Sequence, residues 1–442
     1  MSEERSYRAL LAVPSFPRAV AGAQLGRIAG QMGAIAMVLF VLTRYHSPAL
    51  AGLVAFLSIF PGTLVSPLAG ALLDRHGRKR LIIADFLFAC FTLVLIGVLS
   101  LLHVLPVPLL LLITTLSSLT APLGNVGLRT LYPILVPRHL WERMNAVDSN
   151  GYIVASLIGP PLAGVIVGLA GGEWAIIATG VVIGIGALIL AGLKDPETNT
   201  ATSGSLLRDS WEGLRYVLRN ATLRGLAASI SIANLGNGML FIALPVLVLQ
   251  RFHQGPATVG LLFAVSGAAG LFTTTFFGRI RTEGRERAML SWPQMALAVP
   301  IAMIALAPNL YVVAAALAIF GLLVGPVDIA LFTIRQRRTD PAWMGRAFAV
   351  SMSLNFSGVP IGSALAGPLV GWSLSGTIYL AAALVVVAGV MPLLLIPPTG
   401  DVPGGAAGPA AAAAPPTPEP APPQLPATAR SGPPGGQTPG SP

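Results

Sequence analysis

Five ionisable residues stand inside long apolar runs: Arg27, Asp85, Arg129, Asp148 and Asp328. A charge drawn into hydrocarbon is costly, so residues of this kind are expected to pair, bind or carry protons. Depth follows from the helical rise of about 1.5 Å per residue. Arg27, nine residues past Arg18, lies roughly 14 Å in. Arg129, eight residues before Pro137, lies about 12 Å in. Asp328, seven before Arg335, lies about 10 Å in. Asp85 and Asp148 each follow a basic residue by five positions, about 7 Å, and reach toward headgroups. All three acids are proton-coupling candidates, with Asp328 first; its alternative is an ion pair with Arg335 or Arg337. Asp85 and Asp148 can instead pair with Arg129, Arg143 or Arg346. Arg27 can hold an anionic substrate group or pair within its own half. The amides Gln31, Asn125, Asn234, Asn237 and Asn355 also fall in apolar runs and need partners, either neighbouring helices or a wet cavity. With Arg27 they form the candidate substrate-contact set. No His/Cys cluster has metal-ligand spacing, no glycine-rich loop fits a nucleoside phosphate, and no nucleophile–base set stands out. The reading is therefore not an enzyme and uses no cofactor. Cys90 is the single cysteine, so no intrachain disulfide exists.

The elements that hold these residues are dictated by composition. Of 442 residues 54% are apolar and 10% charged. A soluble fold cannot cover its surface with so few charges. The apolar residues suffice for about twelve spans of about 20 residues each. Apolar runs lie near 18–43, 49–72, 81–102, 106–132, 146–170, 173–193, 224–250, 257–278, 288–307, 309–335, 345–371 and 375–396. Runs of this length must be helices, because lipid offers the backbone no hydrogen bonds. The net charge of +10 is not a nucleic-acid signal. Most of the 27 Lys and Arg residues fall in the leader and in the joints after even-numbered spans. The positive-inside bias then puts both termini in the cytoplasm of a multi-pass protein in the cell's inner (plasma) membrane. Residues 1–17 read as a cytoplasmic leader with no cleaved signal peptide.

Residues 194–223 form the longest joint. Leu207, Trp211, Leu214 and Leu218 recur there at helical spacing opposite Arg208, Glu212, Arg215 and Arg219, which predicts an amphipathic helix on the membrane surface. Residues 397–442 hold 15 of the 38 prolines and predict a disordered tail without chemistry. The two halves, 18–193 and 224–396, repeat each other. Pro48, Gly52 and Gly62 match Pro256, Gly260 and Gly270 at an offset of 208; Gly159 and Gly164 match Gly362 and Gly367 at 203. Asn125 matches Asp328 at the same offset of 203. Parallel repeats of six spans around one cavity are the architecture of a secondary transporter.

The joint after span 2 runs Gly70, Asp74, Arg75, Gly77, Arg78, Lys79, Arg80. It resembles the G-x-x-x-D-R-x-G-R-[KR] signature of the major facilitator superfamily, with every main position met. The resemblance implies a gate: Asp74 would face the N-terminus of span 11 near Gly345 and break away as the halves rock. Arg129 matches the superfamily arginine of span 4, although Pro133 stands where a glycine is expected. Gly159, Pro160 and Gly164 in span 5 resemble the G-P-x-x-G-G element of the drug–proton antiporter branch, with Ala163 in place of one glycine. The whole is similar to twelve-helix exporters of the enterobactin and macrolide efflux type over about residues 15–396. In that family spans 1, 4, 7 and 10 line the cavity, so Gln31, Asn125, Asn234 and Asn237 become expected ligand contacts.

The expectation is an all-α integral membrane protein with twelve transmembrane helices in two pseudo-symmetric six-helix bundles. It would be a monomeric, proton-coupled exporter of small amphipathic molecules (a drug, siderophore or secondary metabolite), driven by the proton gradient. Its partners would be that substrate, protons and the lipid bilayer, with no nucleic acid. An importer or facilitator of the same fold, or a non-transporting membrane sensor or scaffold, is the alternative.

Overall fold

The computed structural model describes residues 6–193, 206–277, 285–340 and 343–397, without the side chains of 67, 70, 71, 74, 206–210, 274–277, 344–346 and 349. Of the expected tail 397–442, residues 398–442 lie outside the described residues, as do 194–205 of the long joint and Arg279 and Arg281. No strand occurs among the described residues.

A short helix, α1 (Tyr7–Leu11), is capped by Ser6 Oγ, which accepts from Ala9 N at 3.1 Å. Its Leu10 is fully buried, so part of the leader is packed into the protein. The first half continues with α2 (Phe16–Arg44), α3 (Pro48–Leu57), α4 (Phe60–His76), α5 (Arg78–Leu101), α6 (Val107–Leu135), α7 (Trp141–Ala170) and α8 (Gly172–Ala191). Helix α9 (Leu206–Arg219) leads to the second half. That half holds α10 (Ala221–Val246), α11 (Pro256–Phe277), α12 (Glu286–Ala296), α13 (Ala298–Leu306), α14 (Leu310–Arg337), α15 (Met344–Trp372) and α16 (Leu374–Leu395). Two expected spans are broken into paired helices, α3–α4 at Ser58–Ile59 and α12–α13 at Leu297. Each break sits near a proline, Pro61 and Pro293 or Pro300, which removes a backbone donor. Eleven helices or helix pairs among the described residues are long and apolar enough to cross a membrane. The remaining expected span is α15, whose 29 residues at about 1.5 Å each exceed a hydrocarbon core of about 30 Å. Leu169 and Leu188 stand largely exposed on helix faces, as side chains turned to lipid do, and Trp372 at a helix end is 88% exposed.

The packing repeats between halves. In the first, α2 packs on α7 and α8, α5 on α6 and α8, and α4 on α6. In the second, α10 packs on α15 and α16, α12 on α14 and α16, and α11 on α14. The halves meet through α7 against α11 and through α15 against α3. Small residues make these approaches possible. A Cβ at Gly164 would strike the backbone of Pro256 and Gly260, and one at Gly52 the backbone of Ser363 and Gly367. Van der Waals contact of this kind is what holds helices together where lipid removes the hydrophobic drive.

The cores divide by depth. Away from the basic joints, at what we term the far end, one apolar core runs through both halves, joining Met32–Leu42 and Ala51–Ala55 to Met239–Val248 and Ala366. At the basic end there are two cores. One holds Leu10, Phe16, Leu128 and Leu190; the other holds Val217, Leu290, Ala330 and Ile334. The halves thus share one core at the far end and part into separate cores toward the basic end, although α4 still touches α9 and α15.

Candidate functional site

The parting leaves a cavity of about 570 Å³. Arg129 and Tyr132 of α6 line one wall with Asn145, Asp148, Ser149 and Tyr152 of α7. Phe332 of α14 and Phe348 and Met352 of α15 line the other. The walls are repeat-related: at the offset of 203, Arg129, Asn145 and Ser149 correspond to Phe332, Phe348 and Met352. One half therefore contributes a polar wall and the other an apolar one.

Arg27 reaches from α2 to the polar wall. It forms an ion pair with Asp148 and donates to the Asp148 carbonyl at 3.2 Å. Gln24, one turn earlier, donates to Gly151 O at 3.1 Å. A side chain at Gly151 would collide with both, so glycine there lets the guanidinium in. Arg27 lies 4.2 Å from the Tyr152 ring centroid, and Arg129 lies 5.2 Å from the same centroid. Arg129 Nε also donates to Tyr152 Oη at 3.3 Å.

In the second half Arg335, which is completely buried, stands behind the apolar wall. It donates to Met352 Sδ at 2.8 Å and packs on the rings of Phe348 (5.1 Å) and Phe332 (5.8 Å). Asn355, with its amide turned to satisfy both neighbours, accepts from Arg335 Nη2 at 2.5 Å and donates to Ser351 O at 3.1 Å. Asn234 donates to Asn355 O at 2.8 Å, and Asn237 to Asn234 Oδ1 at 3.5 Å. Among the described residues neither Arg129 nor Arg335 has a carboxylate partner, whereas Arg27 pairs with Asp148, Arg44 with Glu173 and Arg337 with Glu286.

Several expected site residues thus come together, and others stand apart. Asp148 pairs with Arg27 rather than with Arg129, Arg143 or Arg346 among the described contacts. Arg337 pairs with Glu286. Asp328 therefore has neither Arg335 nor Arg337 as an ion-pair partner among the described residues. It is exposed and lies one turn from Phe332, toward the closed end of the cavity. Asp85 is buried within the first half against Thr120 and Gly124, away from the cavity lining. Gln31 packs where Gly159 lets α7 approach α2, and Asn125 bonds its own helix at Ala121 O, 3.2 Å. Asn355 and Asn234 hold Arg335 and each other rather than an open surface. Arg335, Tyr152, Phe332, Phe348 and Met352 were not expected. The repeat offset, which sets Arg129 opposite Phe332 and Tyr132 opposite Arg335, is the sequence signal that points to them.

The joint after α4 turns on Gly77, whose φ of 89° favours glycine. Lys79 Nζ donates to Leu193 O at 2.5 Å, tying the start of α5 to the end of α8. In the second half Arg287 does the same for α12 and α16, through Pro392 O at 3.1 Å and Leu393 O. Cations at helix C-termini satisfy orphan carbonyls. Arg75 and Arg80 are exposed. Arg78 opens α5. Gly70 and Asp74 lie in α4, but the side chain of Asp74 and those of 344–346 lie outside the described residues, so the expected gate contact does too. Gly164 sits in the far-end seal together with Pro160, whose carbonyl meets Gly260, while Gly159 faces Gln31 and Met32 of α2.

The family model described as Major Facilitator Superfamily matches residues 20–358 and 226–431. The "Uncharacterized MFS-type transporter y4rN" of Sinorhizobium fredii is 36% identical over 400 residues, covering 90% of this chain and 98% of that protein. The "Multidrug efflux pump Tap" of Mycobacterium tuberculosis is 25% identical over 387 residues, covering 82% of this chain and 88% of the pump. Among solved structures, the nucleoside transporter NupG aligns with a TM-score of 0.70 at 12% identity, over 86% of this chain and 99% of NupG.

Proposed function

Since the chain belongs to the major facilitator superfamily and is a multi-pass membrane transporter, we propose that it exports small amphipathic molecules across the plasma membrane in exchange for protons. The observation that supports this reading is the cavity of about 570 Å³, parted at the basic end and sealed at the far end. A space of this size suits a drug-sized molecule. The likeness to an efflux pump favours export, as does the glycine–proline element in the far-end seal.

The mechanism follows from the halves as bodies. With basic joints in the cytoplasm, the cavity opens inward. Residues 18–193 and 224–396 would rock about it, joined by 194–223. Opening outward means parting α7 from α11 and α3 from α15, where the contacts are small residues that separate without stranding a charge. Asp328, one turn along α14 from the lining residue Phe332 and without an ion-pair partner among the described residues, carries the proton. Asp148 serves as a second acid, held in place by Arg27. Substrate and proton would then compete for the same inner wall, which couples their movements. No cofactor enters this scheme; the gradient supplies the energy.

Purified protein in liposomes with an imposed proton gradient tests it. An internal pH dye is followed while lipophilic cations, macrolides and siderophores are added in turn. Proton movement that depends on an added compound is expected. Compound movement with no proton movement removes the antiport step and leaves a facilitator.

A further inference from the structure

We infer that the substrate is an amphipathic anion, its carboxylate or similar oxyanion held at Arg129 and its apolar body laid against Phe332, Phe348 and Met352. This rests on the transporter reading and adds the charge that the substrate must carry.

The first ground is the balance of charge. Three guanidinium groups, Arg27, Arg129 and Arg335, sit in or directly behind the cavity wall. Asp148 answers only one of them, through its pair with Arg27. Asp328, one turn from the lining, would leave the balance positive even when ionised. Tyr132 and Tyr152 are the other titratable groups facing the space. Fixed charge in a low-dielectric cleft acts over longer range than in water, so this space selects for negative charge.

The second ground is how the two unanswered arginines are held. Arg129 spends its Nε on the Tyr152 hydroxyl, which orients the guanidinium without neutralising it. Arg335 is fully buried, bonds only a thioether sulfur and an amide oxygen, and has an Nε without any hydrogen-bond partner. A buried cation with no counter-charge is a costly feature. An anion entering beside Met352 and Phe348 relieves that cost, which is a source of binding free energy present only with a negative ligand.

The third ground excludes the opposite charge. Lipophilic cations are commonly held on aromatic faces. Here Tyr152 already faces two arginines, Arg27 and Arg129, and Phe332 and Phe348 face Arg335. The protein's own cations occupy the rings that a cationic substrate would need.

Two probes with one apolar body decide it: naphthylacetate and naphthylmethylammonium, titrated calorimetrically into the full chain in lipid nanodiscs. Naphthylacetate is expected to bind at least about tenfold tighter than the ammonium. Arg129→Gln should lower the carboxylate affinity by about tenfold or more, and Arg129→Lys should recover part of it. Thermal unfolding of both variants shows that they are folded. Equal affinities, tighter ammonium binding, no carboxylate binding up to about 1 mM, or unchanged affinity in folded Arg129→Gln overturns the inference. Failure of the transport reading looks different: the carboxylate binds, yet no compound of either charge moves across liposomes.

Discussion

Arg27 and Arg335 show two ways of keeping a guanidinium inside a membrane bundle. Arg27 has a carboxylate; Arg335 has sulfur, an amide and aromatic faces. The difference yields opposite expectations for mutation. Removing Arg27 (Arg27→Leu) leaves Asp148 without its partner, and breaking a buried pair costs about 3–5 kcal/mol. The loss should fall at the low end, because the cavity wets Asp148, and Arg27→Leu/Asp148→Leu should recover much of the melting temperature. Replacing Arg335 with Met removes a buried charge that no acid compensates. Arg335→Met is therefore expected to melt at or above the wild-type temperature while losing affinity for naphthylacetate. A variant that melts lower and keeps its affinity would show that Arg335 is structural. Asp328→Asn is expected to abolish gradient-driven transport while substrate binding persists, read by proton flux and by calorimetry on the same preparation. Unchanged flux removes Asp328 from the mechanism.

At the level of helices, the breaks and close approaches have readable causes. Gly77 is needed for its positive φ, and a residue with a Cβ there costs about 1–3 kcal/mol. Gly164 is needed for room, because the backbone of α11 occupies the space a side chain would fill. Gly164→Leu should wedge α7 from α11. The expected readout is faster labelling of a cysteine placed in the far-end core from the external side, in a Cys90→Ala background. Unchanged labelling would mean that the seal accommodates the bulk. Helix α9 is bound to the second half by a face other than the expected stripe. Tyr216 stacks on Trp343 at 5.0 Å and its hydroxyl accepts from Asp340 N at 3.1 Å, while Val217 is buried. Trp211 and Leu218 of the stripe remain exposed. That is the arrangement a helix needs if it docks on protein by one face and meets lipid headgroups with another.

Taken as two halves, the transporter should work only if the far-end seal can open. A reversible lock tests this. A Cβ at Gly168 would lie 3.7 Å from the Cβ of Ala257, within the range a disulfide spans. Gly168→Cys/Ala257→Cys, in the Cys90→Ala background, should cross-link on oxidation and stop transport, and a reducing agent should restore it. Transport at an unchanged rate in the cross-linked protein would rule out opening between α7 and α11. The spans, their repeat and the family could be read from the chain itself, because lipid leaves the backbone few choices. An apolar run of about 20 residues has to be a helix, and the basic joints order the rest. Gly159, Gly164, Gly362 and Gly367 could be marked as packing residues for the same reason. Which end is sealed could not be read, because it depends on helices more than 80 residues apart meeting, as α7 meets α11 and α15 meets α3. Nor could the partner of Asp148 be read, since Arg27, Arg129 and Arg143 all lie within plausible depth and only the crossing of α2 on α7 selects the first. From the sequence Arg335 is the end of an apolar run and a candidate partner of Asp328; the packing of α14 on its neighbours, not its position in the chain, draws it out of water and makes it part of the site.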